Sequence, residues 1–257
     1  MELHLCTPET LPLAAPLFAG WEETMVWSCL QGVMGSVYIP EGQNPPRSAA
    51  AVLNDFCFLA GEPSPALAAA AKKQPYCLAV PQHEGWIPVM EAVYGGPDGW
   101  IERYAIRKEP DCFSVPHLQT LKEKLPQRYR IRRIDEELYN QCQNTPWCGD
   151  LIRGFPTWEA YDRLGIGCVV TDGETIVAGA SSYSRYREGI EIEIDTKEEY
   201  RRQGLATAVG AALILECLQA GLYPSWDAAS MISVALAEKL GYSFSHIYRT
   251  YEVIGGW

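Results

Sequence analysis

The sequence predicts an α/β (α+β) protein, with a mixed sheet flanked by helices in its C-terminal half and a smaller α+β domain before it. From residue 128 the apolar pattern alternates between the two-residue period of strands and the 3.6-residue period of helices. Turn residues punctuate those changes, above all Asp172-Gly173, Gly189, Gly221 and Gly241. The resulting order is a strand, several short helices, three strands, then helix, strand, helix, strand. Early strands joined by hairpins and later ones joined by helices make a mixed sheet.

The first half is less regular. Leu11 to Leu30 is partly helical and is broken by Pro16. Gly35 to Ile39 is a strand, Glu41 to Arg47 a polar loop, and Ala49 to Leu59 a second, largely apolar strand. Pro65 to Lys73 is an alanine-rich helix with proline at its start and lysines at its negative end. Tyr76 to Val80 and Trp100 to Arg107 are further strands, and Leu118 to Leu125 is a helix. A boundary near Leu125-Pro126 gives domains 1–125 and 126–257.

Beyond it, Arg128 to Ile134 alternates charged and apolar residues as a strand with one exposed face. Asp135 caps a helix over Glu136 to Cys142. Trp147 to Phe155 and Thr157 to Leu164 are short helices, and Gly165 to Thr171 is a buried strand. Asp172-Gly173 turns the chain into a returning strand, Thr175 to Tyr186. Ile190 to Thr196 is the next strand, and Gly204 to Ala220 a helix closed by Gly221. Leu222 to Ala228, Met231 to Leu240 and Tyr242 to Val253 follow as strand, helix, and one or two strands.

The chain has 257 residues, 47% of them hydrophobic, enough for one large domain or two ordinary ones. A formal net charge of -11 argues against nucleic acid and anionic membranes as partners. Its 9 cysteines lack a Cys-x-x-Cys pair, and its 4 histidines lack ligand spacing. We expect a reduced cytoplasmic protein with buried free thiols and no metal.

Residues 190–206 carry the most information. Ile190, Ile192 and Ile194 share one strand face, and Glu191, Glu193 and Asp195 the other. Three carboxylates so spaced repel one another, which raises a pKa and suits a general base. A solvated outer face gives the same pattern. The strand leads to Arg201-Arg-Gln-Gly-Leu-Ala206, which fits Gln/Arg-x-x-Gly-x-Gly/Ala. Gly204 lets backbone approach a ligand, Ala206 keeps the first helical turn clear, and Arg201 and Arg202 add charge. N–H groups from Gln203 to Thr207 then point at one spot, as a pyrophosphate requires. A plain glycine-containing helix start is the competing explanation.

With the element order, Tyr223-Pro-Ser-Trp-Asp-Ala228 and Ser233-Val-Ala-Leu-Ala-Glu-Lys-Leu-Gly-Tyr242, the motif resembles the GNAT superfamily of N-acetyltransferases over about residues 128–253. Gly35-Ser-Val-Tyr38, Asn54 to Gly61, Arg103-Tyr-Ala-Ile106, Ala180-Ser-Ser-Tyr183 and Gly189 to Asp195 resemble a bacterial GNAT family with an added N-terminal domain. The resemblance implies a mostly antiparallel central sheet and acetyl-CoA as cofactor. Its pyrophosphate would lie on Gln203, Gly204, Leu205, Ala206 and Thr207, with Arg201 and Arg202 beside it. Backbone of Ile192 to Thr196, with Ile194 and Asp195, would line the pantetheine arm, and Ser230 and Ser233 would contribute from the following helix. The resemblance makes Glu193 and Glu191 the base candidates for a small-molecule or peptide amine, with neither separated from the other.

Two positions depart from that superfamily. Ala237 stands where many members carry a tyrosine that protonates the leaving thiolate, and Ser230 where many carry asparagine. The N-terminal half lacks a second copy of the motif, as a degenerate GNAT-like half would. A CoA-binding or regulatory module without catalysis is the competing function. A phosphate-loop nucleotidase fits poorly, because no Gly-Lys-Ser/Thr follows the loop. A homodimer is compatible with all of this.

Overall fold

Hairpins and crossover helices alternate along the chain in the structure, a computed structural model that describes residues 2–255. The first half runs β1 (Leu3–Leu5), α1 (Leu11–Ala14), α2 (Thr24–Gln31), β2 (Ser36–Pro40), β3 (Ser48–Leu53), β4 (Phe56–Gly61), α3 (Pro65–Ala71), β5 (Tyr76–Pro81), α4 (Ile87–Tyr94) and β6 (Trp100–Ile106). Next come α5 (Val115–Glu123), β7 (Tyr129–Arg133), α6 (Glu136–Gln143), α7 (Trp158–Leu164), β8 (Gly167–Asp172), β9 (Thr175–Tyr186) and β10 (Gly189–Thr196). The chain ends with α8 (Leu205–Gln219), β11 (Tyr223–Ser225), β12 (Asp227–Ala228), α9 (Met231–Leu240) and β13 (Phe244–Ile254). A 3-10 segment, Pro146–Ile152, separates α6 from α7.

Among the described residues, 2–103 and 247–255 form one compact unit, and Tyr104–His246 forms another. In the first, β1, β2, β3 and β4 pair antiparallel in succession and β4 pairs parallel with β5. In the second, β7, β8, β9 and β10 do the same, and β10 pairs parallel with β11. One topology is therefore used twice. The last strand of each half is traded: Tyr251 to Ile254 of β13 pair with β5 in the first unit. Tyr104 and Ala105 of β6 pair with β12 in the second. These compact units meet in the chain at Arg103–Tyr104 and His246–Ile247. Helix α5 falls in the second unit, where Leu118 and Leu121 enter the core.

Several elements differ from expectation. Ala49 to Leu59 is a hairpin, β3 and β4, because Asn54 turns the chain at φ +47°. Helix α4 was absent from the periodicity; proline in its first turn and Gly95 at φ +102° bound it. Leu222 to Ala228 is two short strands, since the chain changes partner from β10 to β6 after Ser225.

Helix α8 anchors the second unit. It is apolar on nearly all sides, and Leu205, Val209, Leu213 and Ile214 are buried with Val170, Ile190 and Leu240. A helix apolar all round belongs in a core rather than on a surface. Cys168 and Cys217 join this cluster, and burial pushes both thiols up to about 12. Cys29 in the first unit is pushed up to about 12 for the same reason. The thiolate is the reactive form. Cys6 and Cys112 are half-buried, whereas the other cysteines are buried. Ellman's reagent at pH 8 is therefore expected to label Cys6 and Cys112 first, and all 9 thiols only after unfolding. Fast native labelling of Cys168 or Cys217 would contradict this packing.

Candidate active site at a strand fork

Strand β10 pairs with β9 along its whole length, from Gly189 opposite Tyr186 to Thr196 opposite Ala178. The register shifts between Glu191 and Ile192, where Tyr183 is the extra residue on β9. Alternation along β10 itself persists. Ile190, Ile192 and Ile194 all pack in the α8 core. A Cβ on Gly210 of α8 would meet Ile194 at 3.4 Å, while one on Gly179, opposite Asp195, would collide with Leu151 of the 3-10 segment. The isoleucines thus face α8, and Glu193 and Asp195 face the 3-10 segment.

On its other edge β10 pairs with β11 only at Gly189–Tyr223, Ile190–Pro224 and Glu191–Ser225. Beyond Ser225 the partner strand leaves toward β6. The parallel strands form a fork closed at Glu191–Ser225, and Ile192 to Thr196 have a strand on one edge only. Side chains rather than a strand meet part of that edge: Glu193 Oε1 accepts the Ile194 N–H and Asp195 Oδ1 the Thr196 N–H.

The open end of the fork leads to the start of α8. Ser64, Ser114, Asp135, Thr157 and Ser230 cap α3, α5, α6, α7 and α9 by accepting a backbone N–H. The 15-residue α8 begins instead at Gly204, which has no side chain to offer and sits at φ +81°. Its first N–H groups are therefore available to a ligand. Arg202 sits at φ +61°, an uncommon conformation for a residue with a Cβ. Alternating turns of this kind converge N–H groups on an anion. A Cβ on Gly204 would meet nothing within 4 Å, so the space before it is open.

That space is a cleft of about 1020 Å³. Ile194, Asp195 and Thr196 line it from β10, Arg201, Arg202, Gly204, Leu205, Ala206 and Thr207 from the turn and α8, and Ser230 and Ser233 from α9. Gln203 does not line it: its Oε1 accepts from the Tyr129 hydroxyl at 2.7 Å, which draws the side chain aside. Glu193 and Glu191 lie farther along β10. Glu193 is half-buried, and its Oε1 accepts the Ile194 N–H at 3.1 Å. Glu191 is only 4% exposed.

Charge in the site is set by few contacts. Arg201 Nε donates to the Thr196 carbonyl at 3.2 Å, and its Nη2 lies 3.9 Å from Asp195 Oδ1. Asp195 Oδ1 accepts the Thr196 N–H at 2.6 Å. Burial holds the Asp195 carboxyl above the usual range; the Thr196 N–H and Arg201 pull it down, and Asp150 adds to the rise. The rise thus comes from burial first, not from repulsion along the strand. The Thr196 hydroxyl is buried without a hydrogen-bond partner.

Helix α9 forms the opposite wall. Ser233 Oγ accepts the Trp226 indole N–H at 3.1 Å. Trp226 is buried in the core, as is Ala237, which offers the cleft no hydroxyl. Tyr242 donates to the Pro224 carbonyl at 2.6 Å. Lining residues that the sequence did not single out are Glu198, Glu199, Tyr200, Ile232 and Leu236. Ile232 was findable: it is an apolar second residue on an amphipathic helix, and it is 85% exposed.

Residues 15–251 match the family model for GNAT acetyltransferases. The chain belongs to this family. A solved GCN5-related N-acetyltransferase-like protein from Streptococcus suis 89/1591 is 42% identical, with a TM-score of 0.89 over 95% of this chain and 98% of that one. The uncharacterized N-acetyltransferase YdfB of Bacillus subtilis (strain 168) is 29% identical over 171 residues, which span 65% of this chain and 62% of that protein. A GCN5-related N-acetyltransferase from Kribbella flavida shares the fold, with 17% identity and a TM-score of 0.54 over 95% of this chain and 96% of that one. In this GNAT chain no helix among the described residues is long and apolar enough to cross a membrane.

Proposed function

We propose that this protein transfers an acetyl group from acetyl-CoA to a primary amine of a small-molecule or peptide acceptor by direct attack. The fork carries this reading: a strand edge that β11 leaves after Glu191 runs into an uncapped helix start beside an open cleft. Acetyl-CoA supplies the acyl group as a thioester. N–H groups from Gln203 to Thr207 hold the pyrophosphate, with Arg201 and Arg202 adding charge. Edge backbone of Ile192 to Thr196 aligns the pantetheine arm and polarises the thioester carbonyl. A free lysine-type amine has a pKa of about 10.4, so a base must take its proton before attack. Glu191 and Glu193, on the strand that would line the arm, are the candidates for this base. Ala237 gives no proton to the leaving sulfur, whose thiol pKa of about 8.5 makes one dispensable.

The first unit repeats the topology without the chemistry. Its β4–α3 turn, Gly61-Glu-Pro-Ser-Pro65, loses two N–H groups to proline and carries an acid, and Ser64 caps the helix. Titration with acetyl-CoA should therefore give one site per chain. The buried free thiols fit a reducing, cytoplasmic setting. The acidic surface favours a cationic acceptor.

A panel of diamines, amino sugars and lysine peptides tests the activity. Mass spectrometry should find acetylated amine and CoA in equal amounts, with the rate about 100-fold lower in whichever one of Glu191→Gln and Glu193→Gln removes the base. The buried Ala237 favours a second reading, CoA binding without catalysis. Acetyl-CoA binding with no product from any amine would support that one instead.

A further inference from the structure

Ser184, Glu191 and Ser225 lie side by side on three adjacent strands. Glu191 is opposite Ser184 on β9 and opposite Ser225 on β11. The second pair is the last before the fork opens, and the first adjoins the extra residue Tyr183. All three are deep: Ser184 is 0% exposed, Ser225 1% and Glu191 4%. Neither serine hydroxyl has a hydrogen-bond partner.

The neighbouring serines behave otherwise. Ser181 Oγ lies 2.8 Å from the Tyr161 hydroxyl, and Ser182 Oγ accepts the Ile166 N–H at 2.7 Å. Those two serve the fold. Ser184 and Ser225 do not, although an alanine would fill the same space without burying an unpaired hydroxyl. Both flank the carboxylate at the closed end of the fork, next to the strand edge that would carry the thioester.

We propose that Ser184 and Ser225 are positioning residues that hold a water beside the Glu191 carboxylate, making Glu191 rather than Glu193 the base that takes the acceptor's proton. This rests on the acetyltransferase reading above. The ammonium N–H bond breaks, its proton passes to the water, and the water passes a proton to Glu191. The amine keeps the lone pair with which it attacks the carbonyl. Glu193 is a poorer candidate because one of its oxygens already accepts the Ile194 N–H. Tyr186, Tyr223 and Tyr242 sense the Glu191 charge; burial first, and then that charge among others, raises their phenols, so none competes for the proton.

The test uses the full chain and S184A/S225A, with E191Q and E193Q as references. Infrared difference spectra of carbon-13 glutamate-labelled protein against E191Q follow the titration of Glu191 alone. Water held by two hydroxyls favours the charged carboxylate, so S184A/S225A should raise that titration by about one pH unit. With methylamine as the acceptor probe, the acidic limb of kcat/KM should move by the same amount and kcat should fall about tenfold. The Kd for acetyl-CoA should stay unchanged. The Tm should hold, since the two hydroxyls bind the water and no other group of the fold; serines that merely stabilise the fold would lower it. An unmoved Glu191 titration overturns the proposal, as does an acidic limb abolished by E193Q and kept by E191Q. Wild type that binds no acetyl-CoA would sink the acetyltransferase reading, while the infrared titration would still decide the role of the serines.

Discussion

Gly204→Glu is expected to abolish acetyl-CoA binding. The glycine is the N-cap of α8 at φ +81°, and its missing side chain leaves the cleft open before the first N–H groups. Glutamate there would fill the space and set a carboxylate against a pyrophosphate. A loss of about 4 kcal/mol, near a thousandfold in Kd, is the expected scale. The left-handed backbone also strains any residue with a Cβ by about 1–2 kcal/mol, which confuses a binding defect with a folding one. Ala206→Glu separates them. Ala206 lines the same cleft on the first turn of α8, without an unusual backbone angle. An acid at a helix start is stabilising by about 0.3–1 kcal/mol. Ala206→Glu should therefore keep or raise the Tm while losing binding. Full binding by either variant in calorimetric titration would remove the pyrophosphate site.

The second large effect is on the fork. A Cβ on Gly189 would collide with the Tyr223 carbonyl and approach the Tyr186 hydroxyl to 2.6 Å. Gly189–Tyr223 is the first of three pairs joining β10 to β11, so the colliding atom is backbone and cannot swing aside. Gly189→Ala should cost about 3 kcal/mol by overpacking. In a chain of this size that lowers the Tm by roughly 6 °C or more. Gly173→Ala is the control. Gly173 also needs a special conformation, φ +60°, but a Cβ there meets nothing within 4 Å. Its cost should stay near about 1 kcal/mol. Equal Tm losses for the two would mean that strand approach at Gly189 is not tight.

The second half was legible because its signals are local. Asp172-Gly173 marks a hairpin by its own turn chemistry, and the Ile/Glu alternation of β10 survives a register shift because the extra residue, Tyr183, lies on the neighbouring strand. The spacing from Thr196 to Thr207 placed a strand end and a helix start around one cleft. What escaped depends on partners distant in sequence. Asn54-Asp55 sits inside an apolar run, so the β3–β4 hairpin read as one strand. Periodicity gives an element's type and not its neighbour, so the exchange of β6 and β13 left no trace. Gln203 adjoins the glycine of the motif, but Tyr129, 74 residues earlier, takes its side chain. Ser184 and Ser225 look like ordinary strand serines until the register sets them on either side of Glu191.

A crystal structure of the full chain with acetyl-CoA is the direct test of where the cofactor binds. The pyrophosphate should lie within hydrogen-bond distance of N–H groups from Gln203 to Thr207, with the pantetheine arm along Ile192 to Thr196 and the thioester pointing to the closed end of the fork. An acetyl-CoA molecule seated anywhere else on the chain, with the start of α8 left untouched, would contradict it.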